Sequence, residues 1–130
     1  MADITHAINW FEIPVADFDR AKKFYETLLG SAMQERQVGN SRMAFFAYDM
    51  QGEGRGGAIV YDPEFYTPCA NGTLIYLNCE PHLQEVLDRV VAAGGSLIQN
   101  KTPVAVTQDM GNWALIMDTE GNRIALHAME

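Results

Sequence analysis

The sequence predicts an α+β fold in which one βαβββ unit is used twice. Three observations carry this reading. Two segments place apolar residues at helical spacing, eight short stretches have strand-like patterning, and the same order of elements recurs after 65 residues. The 130 residues then form a single domain, with module one over about 1–62, a linker over 63–72 and module two over about 73–130.

Taken in order, Ala7–Ile13 reads as the first strand. Asp17 is a good N-cap for a helix whose apolar stripe is Phe18, Ala21, Phe24, Tyr25 and Leu28, and Gly30 offers its C-terminal stop. Weaker strand patterning follows over Ala32–Val38, and stronger patterning over Met43–Asp49 and Gly57–Tyr61. The glycine-rich stretch Gly52–Gly57 is a turn. Module two opens with a strand over Thr73–Glu80 and a helix striped by Leu83, Val86, Leu87 and Val90, which Gly94 and Gly95 end. A weak strand at Ser96–Gln99 and clear ones at Asn112–Asp118 and Arg123–Ala128 complete it, the last two joined by a turn over Thr119–Asn122. At the common offset Asp17 falls on His82, Phe18 on Leu83, Gly30 on Gly95, Gly56 on Gly121, Ile59 on Ile124 and Val60 on Ala125.

Composition narrows the function. Hydrophobic residues make up 48% of the chain, too many for a disordered segment. A net charge of −8 with no cluster of Lys or Arg argues against a nucleic-acid or anionic-membrane surface. No apolar run approaches the roughly 20 residues of a membrane-spanning helix, and the start at Met1 has no basic leader, so a cytoplasmic protein is expected. Cys69 and Cys79 stand ten residues apart with no metal-ligand spacing and are expected to be reduced. No phosphate-cradling glycine motif, nucleophile elbow or HExxH helix is present.

The run from Ile13 to Asp17, followed by Arg20, Ala21, Phe24, Tyr25 and Leu28 to Gly30, resembles the opening of the vicinal oxygen chelate superfamily. So do Leu83 to Gly94 and the closing Asp118 to Ile124. That superfamily includes glyoxalases, bleomycin-resistance proteins, extradiol dioxygenases and methylmalonyl-CoA epimerases. The resemblance implies a glyoxalase-like fold, with the strands curled into a cupped mixed sheet and the helices outside, and frequent homodimers. It also implies a divalent metal held in the cup by side chains of the first and last strand of each module. The corresponding positions here are Trp10, Val60, Ile75 and Ala125, none of which carries an N, O or S donor. A divalent metal is therefore not expected, and no other cofactor is implied.

Residues two apart on a strand share a face, so Trp10 and Glu12 should enter the cup, and so should Ala125 and His127. Glu12 and His127 are the candidate catalytic pair, a carboxylate and an imidazole able to exchange a proton near neutrality. They serve equally as a polar anchor for a ligand or as a structural pair. Trp10 offers a stacking wall. The uniform offset turns Ile75, Leu77 and Cys79 inward, adding Cys79 to the ligand-binding set of Trp10, Glu12, Cys79 and His127. Tyr76 and Asn78 then face the helices or a subunit interface. A shifted metal site would draw on Glu12, His127 and Asp62, the partner of His127 at that offset. His6 and His82 are expected to be solvated. Met43, Met50, Met110, Met117 and Met129 could line an adaptable pocket, and the loop Lys101–Gly111 is long enough to be a lid.

The expectation is a glyoxalase/bleomycin-resistance-like protein that binds a small hydrophobic or cationic molecule in the cup without the usual metal. Two alternatives stay open: a lyase or isomerase using a displaced metal site or the Glu12/His127 pair, and a non-catalytic dimerising interaction module.

Overall fold

The structure, a computed structural model, describes residues 5–105 and 109–130. Strand β1 (Trp10–Pro14) leads into helix α1 (Phe18–Leu29), then β2 (Gln34–Val38), β3 (Ser41–Phe45) and β4 (Gly56–Tyr61). The second module repeats the plan with β5 (Tyr76–Asn78), α2 (Leu83–Leu87), α3 (Val90–Ala93), β6 (Ser96–Pro103), β7 (Asn112–Met117) and β8 (Arg123–Ala128). Among the described residues no helix is long and apolar enough to cross a membrane.

The first helix forms where capping and periodicity agree. Asp17 accepts a hydrogen bond from the Arg20 amide at 3.1 Å, and Gly30 closes the helix in the left-handed region at φ +67°. The second helical segment breaks into two. The interruption falls at Asp88 and Arg89, His82 contributes no side-chain cap, and Gly94 closes α3 in the left-handed region at φ +111°.

The strands form two four-stranded mixed sheets, ordered β1-β4-β3-β2 and β5-β8-β7-β6. In each, the first strand lies parallel to the last and the other pairings are antiparallel. Helix α1 covers β4, α2 covers β7 and β8, and α3 covers β6, while α1 also packs on α2 and α3. One core therefore runs through both modules, holding Phe24, Tyr25, Leu28, Ile59, Leu83 and Leu126.

Backbone hydrogen bonds fix the true equivalence of the modules. The Val15 amide donates to the Val60 carbonyl at 3.0 Å, and the Cys79 amide donates to the His127 carbonyl at 2.8 Å. Val15 thus matches Cys79, and Val60 matches His127. The uniform offset holds for the helices but slips by one residue in β5 and by two in β8. An odd slip turns a strand over and an even one does not. So Leu77 and Cys79 lie in the core beneath the helices, with Ile75 packed at its edge, and Tyr76 and Asn78 occupy the open face. This corrects the inward placement of Cys79. It also removes Asp62 as the counterpart of His127.

The turn between β7 and β8 ties the modules together. Asp118 accepts from the amides of Glu120 and Asn122, and Gly121 supplies the left-handed residue at φ +86°. From this turn Asn122 donates to the Pro14 carbonyl at 2.7 Å, and Asp118 receives the hydroxyl of buried Tyr25 at 2.7 Å. Glu120 reaches the start of α1, accepting from the amides of Ala16 at 2.9 Å and Asp17 at 2.7 Å.

Candidate binding site on the open face of the first sheet

Alternation decides which side chains reach the open face. Phe11 and Ile13 of β1 enter the main core, which leaves Trp10 and Glu12 on the other side. In β4 the residues outside the core are Ala58 and Val60, and in β3 they are Met43 and Phe45. Met43, Ala58 and Val60 form a small apolar cluster of their own, flanked by Phe45 and Tyr66. Cross-strand register sets Gln34 opposite Phe45 and Arg36 opposite Met43, so both polar side chains of β2 share this face.

At one end of the face lies a cavity of about 500 Å³, lined by Trp10, Phe45, Tyr48, Met50, Gln34 and Arg36. The Trp10 ring stands 5.8 Å from Phe45 at 60° and 6.2 Å from Tyr48 at 77°. Tilted and edge-on packing of this kind fixes the rings without closing their faces. Trp10 remains 37% exposed, enough to leave it available to a ligand.

Each predicted site residue has a definite place. Trp10 lines the cavity. Glu12 lies on the same face but accepts the Tyr66 hydroxyl at 2.6 Å, and that hydrogen bond pushes the Tyr66 phenol above its ordinary value. His127 stands on the open face of the second sheet, where its Nε2 donates to the Met110 carbonyl at 2.7 Å. Glu12 and His127 are thus on different sheets with different partners, and the acid–base pair is not formed within the chain. The strands that carry them, β1 and β8, belong to different sheets. Cys79 is buried in the core, where burial pushes its thiol up to about 11, a poor nucleophile at neutral pH. The Asp62 carboxylate is buried and accepts from the Ser41 hydroxyl at 2.8 Å. His82 pairs with Glu130 rather than with water alone, and His6 is half-buried.

Of the four positions at which the resemblance expects metal ligands, Trp10 and Val60 face the open side of the first sheet, Ala125 that of the second, and Ile75 the edge of the core. The corrected register replaces Ile75 by Leu74 as the counterpart of Trp10, and Val60 by Ala58 as that of Ala125; these too lack donors, while Val60 itself matches His127, whose imidazole is taken by the Met110 carbonyl. Among the described residues no three of His, Cys, Asp and Glu stand together as a metal would require. The residues present do not fit the implied metal.

Sequence reasoning missed Phe45, Tyr48, Gln34, Arg36 and Tyr66. The alternation of Met43 with Phe45 could have found the second aromatic ring; Tyr48 and Tyr66 reach the face from loops, which no period foretells. Of the methionines, Met50 lines the cavity, Met43 lies in the cluster beside it, and Met110 serves through its carbonyl. The expected lid over Lys101–Gly111 begins within β6, and its centre, 106–108, lies outside the described residues.

Residues 8–44 match the family model described as Bleomycin resistance protein-like N-terminal. No curated protein sequence matches the chain. Among solved structures, an integron cassette protein from the mobile metagenome of V. Cholerae superposes with a TM-score of 0.68 at 17% identity, over 100% of this chain and 99% of that one. A glyoxalase/bleomycin resistance protein from Albidiferax ferrireducens T118 gives 0.66 at 16% identity, covering 95% and 98%. Glyoxalase I from Zea mays gives 0.63 at 18%, covering 99% of this chain but only 48% of the longer one. Identities this low show the fold alone. The fold is that of the glyoxalase and bleomycin-resistance proteins.

Proposed function

We propose that this chain, built on the fold of the glyoxalase and bleomycin-resistance proteins, binds a small hydrophobic or cationic molecule in the aromatic cavity of its first sheet, without a divalent metal. The observation that carries the reading is the cavity lined by Trp10, Phe45 and Tyr48, whose volume of about 500 Å³ suits a small organic ligand. Ring faces accept either an apolar body or a cation. The donor set supports binding without a metal, because Trp10, Val60 and Ala125 offer nothing to a divalent cation. Two free cysteines suit a reducing cytoplasm. Tyr76, Trp113 and Leu115 on the open face of the second sheet support a homodimer that covers them.

Titration of the protein with 2-naphthamide, a neutral planar probe, tests the role. Resonances of Trp10, Phe45 and Tyr48 should shift together, and Trp10→Ala should weaken binding at least tenfold. A probe that leaves those resonances still would overturn the reading. Stoichiometric Zn, Ni, Mn or Fe surviving dialysis would overturn its metal-free part.

A further inference from the structure

From the charges around the cavity, and resting on the binding role proposed above, we infer that the ligand is a planar apolar molecule bearing a carboxylate, held by Arg36 and Gln34 with its ring against Trp10. The two polar side chains lie two residues apart on β2, and their strand partners Phe45 and Met43 place them on the open face. Both line the cavity with Trp10. Among the described residues neither side chain makes a hydrogen bond or ion pair within the chain.

The intervening residue sharpens the contrast. Glu35 points to the helix side, where its carboxylate meets Arg42 at 3.2 Å and Lys22 at 3.6 Å. Its charge is compensated although it borders the same cavity. Arg42 also takes Asp19, and Arg20 takes Glu120. A chain with 17 acids to nine bases pairs these arginines, yet leaves the Arg36 guanidinium at the rim of an aromatic cavity. The carboxylate of the same face, Glu12, is occupied by the Tyr66 hydroxyl and is not part of the cavity lining. The charge offered to a ligand here is positive, which decides against the cationic form of the role proposed above and adds a carboxylate to its hydrophobic form. A guanidinium fork binds a carboxylate through two parallel hydrogen bonds, and the neighbouring amide can donate a third. Trp10, Phe45 and Tyr48 supply the apolar wall for the rest of the molecule.

Three probes that share one naphthalene ring separate the possibilities: 2-naphthoate, 2-naphthamide and 2-naphthylmethylammonium, titrated into wild type and Arg36→Gln by calorimetry, with the fold of the variant checked by its amide spectrum. The expected result is binding of naphthoate at least tenfold tighter than naphthamide, weakest binding of the ammonium, and loss of the naphthoate preference in Arg36→Gln. Equal binding of acid and amide, tighter binding of the ammonium, or a preference that survives the substitution overturns the carboxylate assignment and leaves the cavity reading standing. Absence of binding by all three overturns the cavity reading, and the carboxylate with it.

Discussion

Glu120 grips Arg20 side-on across the two modules, with Nε–Oε2 at 2.7 Å and Nη2–Oε1 at 3.1 Å. The same carboxylate takes the amides of Ala16 and Asp17 and the Thr119 hydroxyl, and its side chain is wholly buried. Module two thereby supplies an anion just ahead of the N-terminus of α1, where unsatisfied amides favour negative charge. Burial alone would raise this carboxyl. The Arg20 guanidinium, the Asp17 amide, the Thr119 hydroxyl and the Ala16 amide outweigh it and hold it at about 2.

Stability should therefore fall on acidification. A carboxyl whose folded value lies below its ordinary 4.5 contributes above that pH and loses its contribution as the pH drops toward about 2. Glu120→Gln should flatten this acid limb in denaturation midpoints measured from pH 5 to pH 2. Glu120→Ala should cost about 2 kcal/mol at neutral pH, since the amides of Ala16 and Asp17 lose their acceptor. An unchanged acid limb in Glu120→Gln would show that other carboxylates dominate it.

Tyr25 is the second tie. Its hydroxyl is buried against Asp118, and burial together with that carboxylate pushes the phenol well above its usual value. Tyr25→Phe removes one donor from Asp118, which keeps those of Asn122 and Glu120. The expected loss is about 1 kcal/mol in chemical denaturation, with the fold retained. A neutral substitution would mean that water replaces the hydroxyl.

Glu12 should report through Tyr66. Because the hydrogen bond to Glu12 is the foremost cause of the raised Tyr66 phenol, Glu12→Gln should return its titration toward the ordinary value. Carbon-13 resonances of labelled tyrosines followed to high pH would show one of five phenols moving down. No movement would place the pairing outside the solution ensemble.

The cysteines should differ in reactivity. Cys69 is exposed and Cys79 is buried with a thiol near 11. One thiol per chain should react rapidly with an aromatic disulfide at pH 8, and Cys69→Ser should leave the folded protein silent until denaturant is added. Two fast thiols would contradict the core placement of Cys79.

Local signals made most of the architecture legible. The Asp17 cap, the stripe from Phe18 to Leu28 and the stop at Gly30 recur unchanged in α1, because helix ends and faces are set within a few residues. The open-face placement of Trp10 and Glu12 followed from strand alternation in the same way. Cys79 was misplaced for the complementary reason. A repeat read at one offset tolerates no slip in a strand, and β5 slips by a single residue, which exchanges its two faces. The sequence by itself determined the duplicated βαβββ plan, its first helix and the order of its strands, and the absence of donors at Trp10, Val60, Ile75 and Ala125. Only the tertiary structure decided that Glu12 belongs to Tyr66 and His127 to the Met110 carbonyl, that Glu120 joins the modules at Arg20, and that Phe45, Tyr48 and Arg36 meet Trp10 around one cavity. Those partners come from different strands and loops, and their meeting depends on inter-strand register and loop course, which no local periodicity encodes.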